Sequence, residues 1–355
     1  METDHQSGAG RRMIAARIAT LLSELSRHAE TNGCLTSEQL AIIYDQRWFK
    51  LFVPKQYGGL ELTVPEGVRL EEELACIDGS LGWTVTLCAG ANLFVGYIDP
   101  SVAASIFSEC TVCFGGSGQA SGRAVVENGG YRITGVWRYA TGAPHLTHFT
   151  VNCVLEQRGV PLMDDAGNPL VRSFFLAKDN VRIIEDWKAF GLKATASHSF
   201  EIADSRIDES QAFTIAPERA TFPHPTYRYP FLQFAEVTLA ANTLGMARHF
   251  VACVAAIDKA DAVQAADMAQ NQLVKARELF LQVVDASWDE LQRLGTIAPS
   301  QLQAVSDSSR ALVHRCRQQV MALYPLAGMV AADAGTEINR IWRDIFTASQ
   351  HSLLR

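Results

Sequence analysis

The chain predicts an α+β protein of several domains: a helical segment over residues 1–110, a middle antiparallel, barrel-like β-segment over 111–215, and a helical bundle over 216–355. Three observations carry this. Apolar residues recur at the helical period on both flanks, and the period switches to two between them. A 355-residue chain with 48% hydrophobic residues can also bury more than one large core.

In the first segment, Ile14, Ile18, Leu21, Leu22 and Leu25 follow the 3.6 period. Pro65-Glu66 opens a further helix running toward Ile77, since proline is favoured in a first helical turn. The middle segment opens with FGGSGQASGRAVVENGGYRITGVWRYATGA, Phe114 to Ala143. Its glycines let backbone approach a ligand or reverse direction, and Arg123 to Glu127 with Tyr131 to Tyr139 read as a hairpin. Further strands are expected near His148 to Leu155, Ser173 to Ala177, Val181 to Ile184 and Ser199 to Ala203, with a polar hairpin excursion at Gly159 to Pro169. After a proline-rich linker, helical runs over Phe231 to Lys259, Val263 to Leu294, Pro299 to Ala332 and Thr336 to Leu354 suggest a four-helix bundle.

Composition excludes several classes. A net charge of -7 without a basic cluster argues against nucleic acid. No apolar run reads as the roughly 18 residues that span a bilayer, so no membrane association is expected. METDHQSGAGRR at the start is polar and lacks a signal-peptide core, and the eight cysteines sit mostly within apolar periodic segments rather than in CxxC pairs. Buried thiols in a reducing cytoplasm are the expectation. His145 and His148 stand three apart without further ligands at metal-binding spacing, so no metal site is expected; they read as substrate-channel or surface residues.

The most informative stretch is the glycine-rich loop with the strand end Tyr139-Ala140-Thr141-Gly142. Alternation places Tyr139 and Thr141 on one side of the strand, where an aromatic and a hydroxyl can stack on and hydrogen-bond a flat ring. With LFVPKQYGGLEL (Leu51 to Leu62), Asp78-Gly-Ser-Leu-Gly-Trp83, Phe190-Gly-Leu-Lys-Ala-Thr-Ala-Ser197 and Arg343-Asp344, this pattern resembles the acyl-CoA dehydrogenase superfamily. Lys193 and Ala194 replace the family's Arg and second Gly in the Ser197 segment. The resemblance implies an acyl-CoA dehydrogenase-like fold with a flavin in the middle domain. Gly116, Ser117, Gly118, Tyr139, Thr141, Gly142 and Ser197 would bind it, with Thr141 near flavin N5.

The family's usual catalytic base is a Glu nine positions after the Arg of the Arg343-Asp344 pair, where this chain has Ser352, too weak a base unaided. His351 stands one residue earlier, in an arrangement that resembles the two-component flavin-dependent monooxygenase branch. An imidazole suits either donation to an oxygen adduct of reduced flavin, a C4a-hydroperoxyflavin, or removal of a substrate proton. The resemblance then implies His351, Thr141 and Asn92 as catalytic groups, Asn92 standing where many of that branch carry a second histidine. Trp83, Asn92, Phe94 and Phe346 would meet the substrate, with Phe231 among the further pocket walls.

The main expectation is a reduced-flavin-dependent monooxygenase using reduced FMN or FADH2 and molecular oxygen on a small aromatic or electron-rich molecule. A separate NAD(P)H-flavin reductase would be its partner. Two alternatives stand beside it. One is an FAD-containing acyl-CoA dehydrogenase-like enzyme with Glu236 as displaced base, and the other is a noncatalytic flavin-fold protein. His198 is expected to flank the cofactor's phosphates or a subunit contact. Arg340 and Arg343 would bind phosphate or pair with Glu337 and Asp344. Met329 and Ala331, at positions where dehydrogenases carry glycines that receive a neighbour's FAD, fit a diffusible flavin, and a dimer of dimers is expected by resemblance.

Overall fold

A computed structural model describes residues 13–355; residues 1–12, the polar stretch discussed above, lie outside the described residues. Five helices come first: α1 (Ala16–Asn32), α2 (Ser37–Asp45), α3 (Val64–Ile77), α4 (Gly79–Asn92) and α5 (Pro100–Phe107). Local chemistry starts them where it should. Thr36 with Gln39, and Thr63 with Glu66, form reciprocal capping boxes on α2 and α3, and Asp78 caps α4 through Leu81 N at 2.7 Å. Each such cap contributes about 1 kcal/mol. Of the apolar stripe on α1, Leu22 is buried but Leu21 is exposed, because the stripe is narrower than its residue types suggest.

The middle of the chain forms one nine-stranded sheet from β1 (Phe114–Gly116), β2 (Gly122–Glu127), β3 (Gly130–Ala140), β4 (His148–Gln157), β5 (Val160–Pro161), β6 (Val171–Ala177), β7 (Arg182–Ile184), β8 (His198–Asp208) and β9 (Ala212–Phe213). Its main path runs β7-β8-β3-β2-β4-β6-β9. Most pairings are antiparallel, as expected from short loops, but β1 and β2 both pair with β4 in parallel, so the sheet is mixed. Trp137 is fully buried in it, stacked on Phe200 with ring centroids 5.4 Å apart. Residues Trp137 to Ala140 of β3 face Phe200 to His198 of β8, one residue more on the β3 side. That bulge, with Tyr139 at φ +68°, breaks the alternation expected at the strand end.

The C-terminal part is α6 (Phe231–Ala255), α7 (Ala260–Leu294), α8 (Pro299–Ala327), the single turn α9 (Met329–Ala332) and α10 (Glu337–Ala348). The run expected over Pro299 to Ala332 divides at Gly328, whose φ of +67° ends α8. Met329 just beyond it is 83% exposed. By length and mean hydropathy α6 is apolar enough to cross a membrane, which corrects the expectation that no such run exists. It is the central helix of the bundle, with 78% of its most apolar window buried inside the protein. Gly245 lets α6 approach α3, since a Cβ there would lie 2.2 Å from Glu72 O.

Candidate active site

A cavity of about 240 Å³ opens between the sheet and the helices α4 and α6. On the sheet side it is walled by Gly115 to Gly118, Thr141, Thr150, Asn152 and Ser173. Thr150 Oγ1 donates to Gly115 O at 3.3 Å and Asn152 Nδ2 to Gly118 O at 2.9 Å, so the two strand residues fix the glycine loop. Gly116 has no room for a side chain: a Cβ would sit 2.0 Å from Thr150 O. On the helix side, Phe94, Phe231 and Phe234 form an aromatic wall with Leu87 and Leu239, and Thr86 and Thr238 are the hydroxyls among them.

His351 closes the cavity from the C-terminal end. It caps the last short turn, its Nδ1 accepting from Leu353 N at 3.4 Å. A nitrogen that accepts carries no proton, so in this arrangement the neutral ring carries its proton on Nε2. Burial, reinforced by the charge of Arg355, holds His351 below the ordinary 6.5. Trp83 braces the ring edge-on, with centroids 6.1 Å apart. Protonation would turn Nδ1 against Leu353 N–H and add charge beside Arg355. Turnover is therefore expected to be level above about pH 7 and to fall as pH drops through the lowered value. A pH profile that instead rises toward acid would mean that the imidazolium is the working form.

The structure brings Gly116, Ser117, Gly118, Thr141, Phe94 and His351 together around one cavity, with Trp83 behind His351. Others of the expected site residues stand elsewhere. Asn92 is fully buried and does not line the cavity: its Nδ2 donates to Phe49 O at 2.6 Å and its Oδ1 accepts from Phe114 N at 2.9 Å. Its amide ties α4 to the start of β1, and its full burial outside the cavity wall keeps it from a substrate. Phe346 faces the other side of α10, packed on Trp342 with centroids 4.8 Å apart. Tyr139, displaced by the bulge, is 57% exposed and meets Trp187 edge-on. Gly142, at φ +75°, is a turn whose N–H donates to Thr195 O, and Ser197 lies behind Thr141.

Two motifs that look separate in sequence form one unit. Arg343 does not pair with Asp344. It binds Glu30 at 2.6 Å and Phe190 O at 2.7 Å, while Asp344 accepts from Leu192 N at 2.5 Å. Both therefore clamp the turn at Phe190 to Leu192, and burial pushes Asp344 up to about 8. Arg340 pairs with Glu337 at 3.5 Å and Asp78 at 3.8 Å. His198 accepts from Trp187 N and lines a second, polar cleft with Arg27, Lys193 and Arg340.

Glu236 does not line the cavity. It is buried between α6 and α8, taking Ser306 Oγ at 2.5 Å and Arg310 Nη1 at 3.2 Å. His145 and His148 are also outside it; burial, with the Lys178 charge, lowers His145 to about 4. Among the described residues, His249, Cys253 and Glu337 bring ligand atoms within 4.8 Å of one another. Burial pushes the Cys253 thiol up to about 12, against the thiolate a metal needs, and His249 instead meets Glu337 at 3.3 Å.

Sequence reasoning missed Thr86, Thr150, Asn152, Ser173 and Thr238, which come from four separated elements and share no motif. Taken together, the donor set fits a flavin. A loop whose Gly115 and Gly116 leave no room for a Cβ and a polar strand wall face the cavity from one side, and an aromatic wall faces it from the other, as a flat heterocycle with a polar edge requires.

Comparisons agree with this arrangement. Residues 237–355 match the family model described as acyl-CoA dehydrogenase, C-terminal domain. The chain is 25% identical to a pigment production hydroxylase of a Rhodococcus species, over 94% of this chain and 89% of that protein. It is 24% identical to the oxygenase subunit HsaA, a flavin-dependent monooxygenase of Mycobacterium tuberculosis, over 96% of this chain and 91% of that one. The HsaA crystal structure superposes with a TM-score of 0.86, covering 95% of this chain and 93% of HsaA at 20% identity. XiaF from a Streptomyces species, solved in complex with FADH2 and glycerol, superposes with a TM-score of 0.85, covering 96% of this chain and 90% of XiaF at 21% identity. The last third of the chain thus matches the acyl-CoA dehydrogenase C-terminal domain, and nearly the whole chain is similar to a hydroxylase and to a flavin-dependent monooxygenase, whose fold it shares.

Proposed function

We propose that this protein is the oxygenase component of a reduced-flavin-dependent monooxygenase acting on a small, uncharged aromatic molecule, with a separate NAD(P)H-flavin reductase as its source of FMNH2 or FADH2. The observation that carries this is the pairing of His351 with the glycine loop and Thr141 across one cavity, while Glu236 is held in an ion pair away from it. Without a free carboxylate base, the dehydrogenase alternative has no group to remove an α-proton.

In this reading Gly116, Ser117, Gly118 and Thr141 hold the flavin ring, and Phe94, Phe231 and Phe234 receive the substrate. Reduced flavin, when bound, supplies two electrons and activates dioxygen so that one oxygen atom can pass to the substrate. His351 offers a hydrogen bond from Nε2 without rearrangement; removal of a substrate proton would need Nδ1, which means breaking the 3.4 Å contact with Leu353 or flipping the ring. The apolar wall excludes bulk water from the transfer. We further take residues 216–355 as the assembly domain of a dimer of dimers, and the cytoplasm as the protein's location.

Among the described residues that line the cavity there is no Lys, Arg, Asp or Glu. A carboxylate buried there would lack a charged partner, at a cost above the roughly 1–3 kcal/mol of an unpaired neutral polar group. Indole is accordingly expected to bind about tenfold or more tightly than indole-3-acetate in calorimetric titration, and equal affinities would remove the uncharged-substrate reading. The function itself is tested by supplying NADH, a flavin reductase and the protein to a panel of neutral aromatics. Oxygenated product should depend on all three. Bleaching of a copurified FAD by an acyl-CoA would favour the dehydrogenase instead.

A further inference from the structure

A second cleft, of about 430 Å³, borders the substrate cavity at Phe213, which lines both. Tyr97, Leu155, Leu170, Val171 and Phe213 give it apolar walls, and Arg172 and Arg219 are its charged groups. Tyr97 contributes its ring, since its hydroxyl donates to Tyr227 O at 2.7 Å. Among the described residues no Asp or Glu lines the cleft, and neither arginine forms an ion pair. Glu218, beside Arg219 in the sequence, is exposed and outside the lining. Arg172, in β6, is half-buried and held in place: its Nη1 donates to Tyr131 Oη at 2.8 Å and its guanidinium lies over that ring at 5.7 Å. Its Nε–H is buried and has no partner. A buried donor of a charged group left unbonded is costly and rare, so it marks a place for an acceptor. Arg219 ends the exposed turn Pro217–Arg219 that follows β9 and brings a second unpaired guanidinium to the same cleft.

We propose that this cleft is a separate binding site for a small carboxylic acid with an apolar body, the carboxylate held by Arg172 and Arg219 and the body lying against Leu155, Leu170 and Phe213. A guanidinium matches a carboxylate as a planar fork of donors, and two of them without an acid of their own leave positive charge for a ligand to meet. The apolar walls favour an acid that carries hydrocarbon over a bare oxyanion. The site shares none of the residues assigned above to flavin or substrate. The two spaces thus divide ligands by charge, the cavity without Lys, Arg, Asp or Glu taking a neutral aromatic and the cleft taking an acid. An acid held here is a second site in a titration with indole-3-acetate, so its comparison with indole is read as displacement from the cavity.

The test is calorimetric titration of the full chain with benzoate, with its neutral analogue benzamide and with inorganic phosphate. Hydrogen bonds to a charged group predict that the wild type binds benzoate about tenfold or more tightly than benzamide. Phosphate, which has no apolar body, should bind about tenfold or more weakly than benzoate. Arg172→Gln and Arg219→Ala each remove one guanidinium and should bring benzoate and benzamide within about threefold of one another. Arg219 is exposed, so its variant tests the site even where the loss of Arg172 from Tyr131 disturbs folding. Saturating indole, or His351→Ala, should leave the benzoate affinity within about twofold of the wild-type value, as for uncoupled sites. Equal affinities for benzoate and benzamide, phosphate bound as tightly as benzoate, displacement of benzoate by indole, or an unchanged ratio in an Arg219→Ala protein that melts normally would each overturn the proposal. Failure of oxygen transfer with these ratios intact would count against the monooxygenase reading alone.

Discussion

Replacing His351 by alanine is expected to lower productive turnover by about 10²- to 10⁴-fold while the protein still folds and binds reduced flavin. His351 is the only ionisable side chain among the described residues that line the cavity, so no neighbour can assume its proton chemistry. Reduced flavin should still be oxidised in the variant, but with hydrogen peroxide released in place of product. The ratio of product to flavin oxidised is thus the quantity to measure. Glutamine separates the two roles open to the imidazole, because its amide donates but does not take up a proton near neutrality. Partial recovery of coupling in His351→Gln identifies hydrogen-bond donation, which the Nδ1 contact to Leu353 already favours. No recovery, together with a rate that depends on the acidity of the substrate, identifies the base. Unchanged coupling in His351→Ala would remove His351 from the chemistry.

The largest stability effect is expected at Glu72, which no motif singles out. Its carboxylate is buried on α3 and receives Arg248 of α6 at 2.5 Å and Arg277 of α7 at 2.7 Å. It therefore joins the N-terminal helices to the bundle at the point where Gly245 brings α6 closest. Breaking a fully buried pair by removing one partner costs about 3–5 kcal/mol. Both arginines are about a third exposed, so water relieves part of this, and roughly 2–4 kcal/mol is expected for Glu72→Ala. A fall of several degrees in the thermal midpoint checks it, with Arg69→Ala, whose partner Asp285 is 43% exposed, shifting it far less. Equal shifts would mean that the clamp contributes no more than a surface pair.

How much of this was legible depends on what each residue's partners are. The helical and strand segments could be read because their periods follow from which face is buried, and burial is a local pattern. The glycine loop and Thr141 were readable for a similar reason: a run of small residues and a hydroxyl at a strand end are each local patterns in the sequence. Tyr139 could not be placed, since one extra residue in β3 opposite β8 decides its side, and nothing in Trp137 to Ala140 announces the bulge. Asn92 looked available for chemistry because its partners, Phe49 O and Phe114 N, are backbone groups that any residue would supply. Phe346 and His351 sit close in sequence, yet the helix end between them sends one toward Trp342 and the other into the cavity. The Arg343-Asp344 pair and the Phe190 to Ser197 segment were both visible, but their union at Leu192 is a contact between residues about 150 positions apart.

The central claim is that this cavity transfers oxygen from reduced flavin to an uncharged aromatic substrate. Single-turnover reaction of the protein, loaded anaerobically with reduced FMN or FADH2 and a neutral aromatic, with isotopically heavy dioxygen tests it most directly. The account predicts one heavy oxygen atom in the product by mass spectrometry, with the yield collapsing in His351→Ala. Product without label, or no product together with tightly held FAD that an acyl-CoA bleaches, would contradict it.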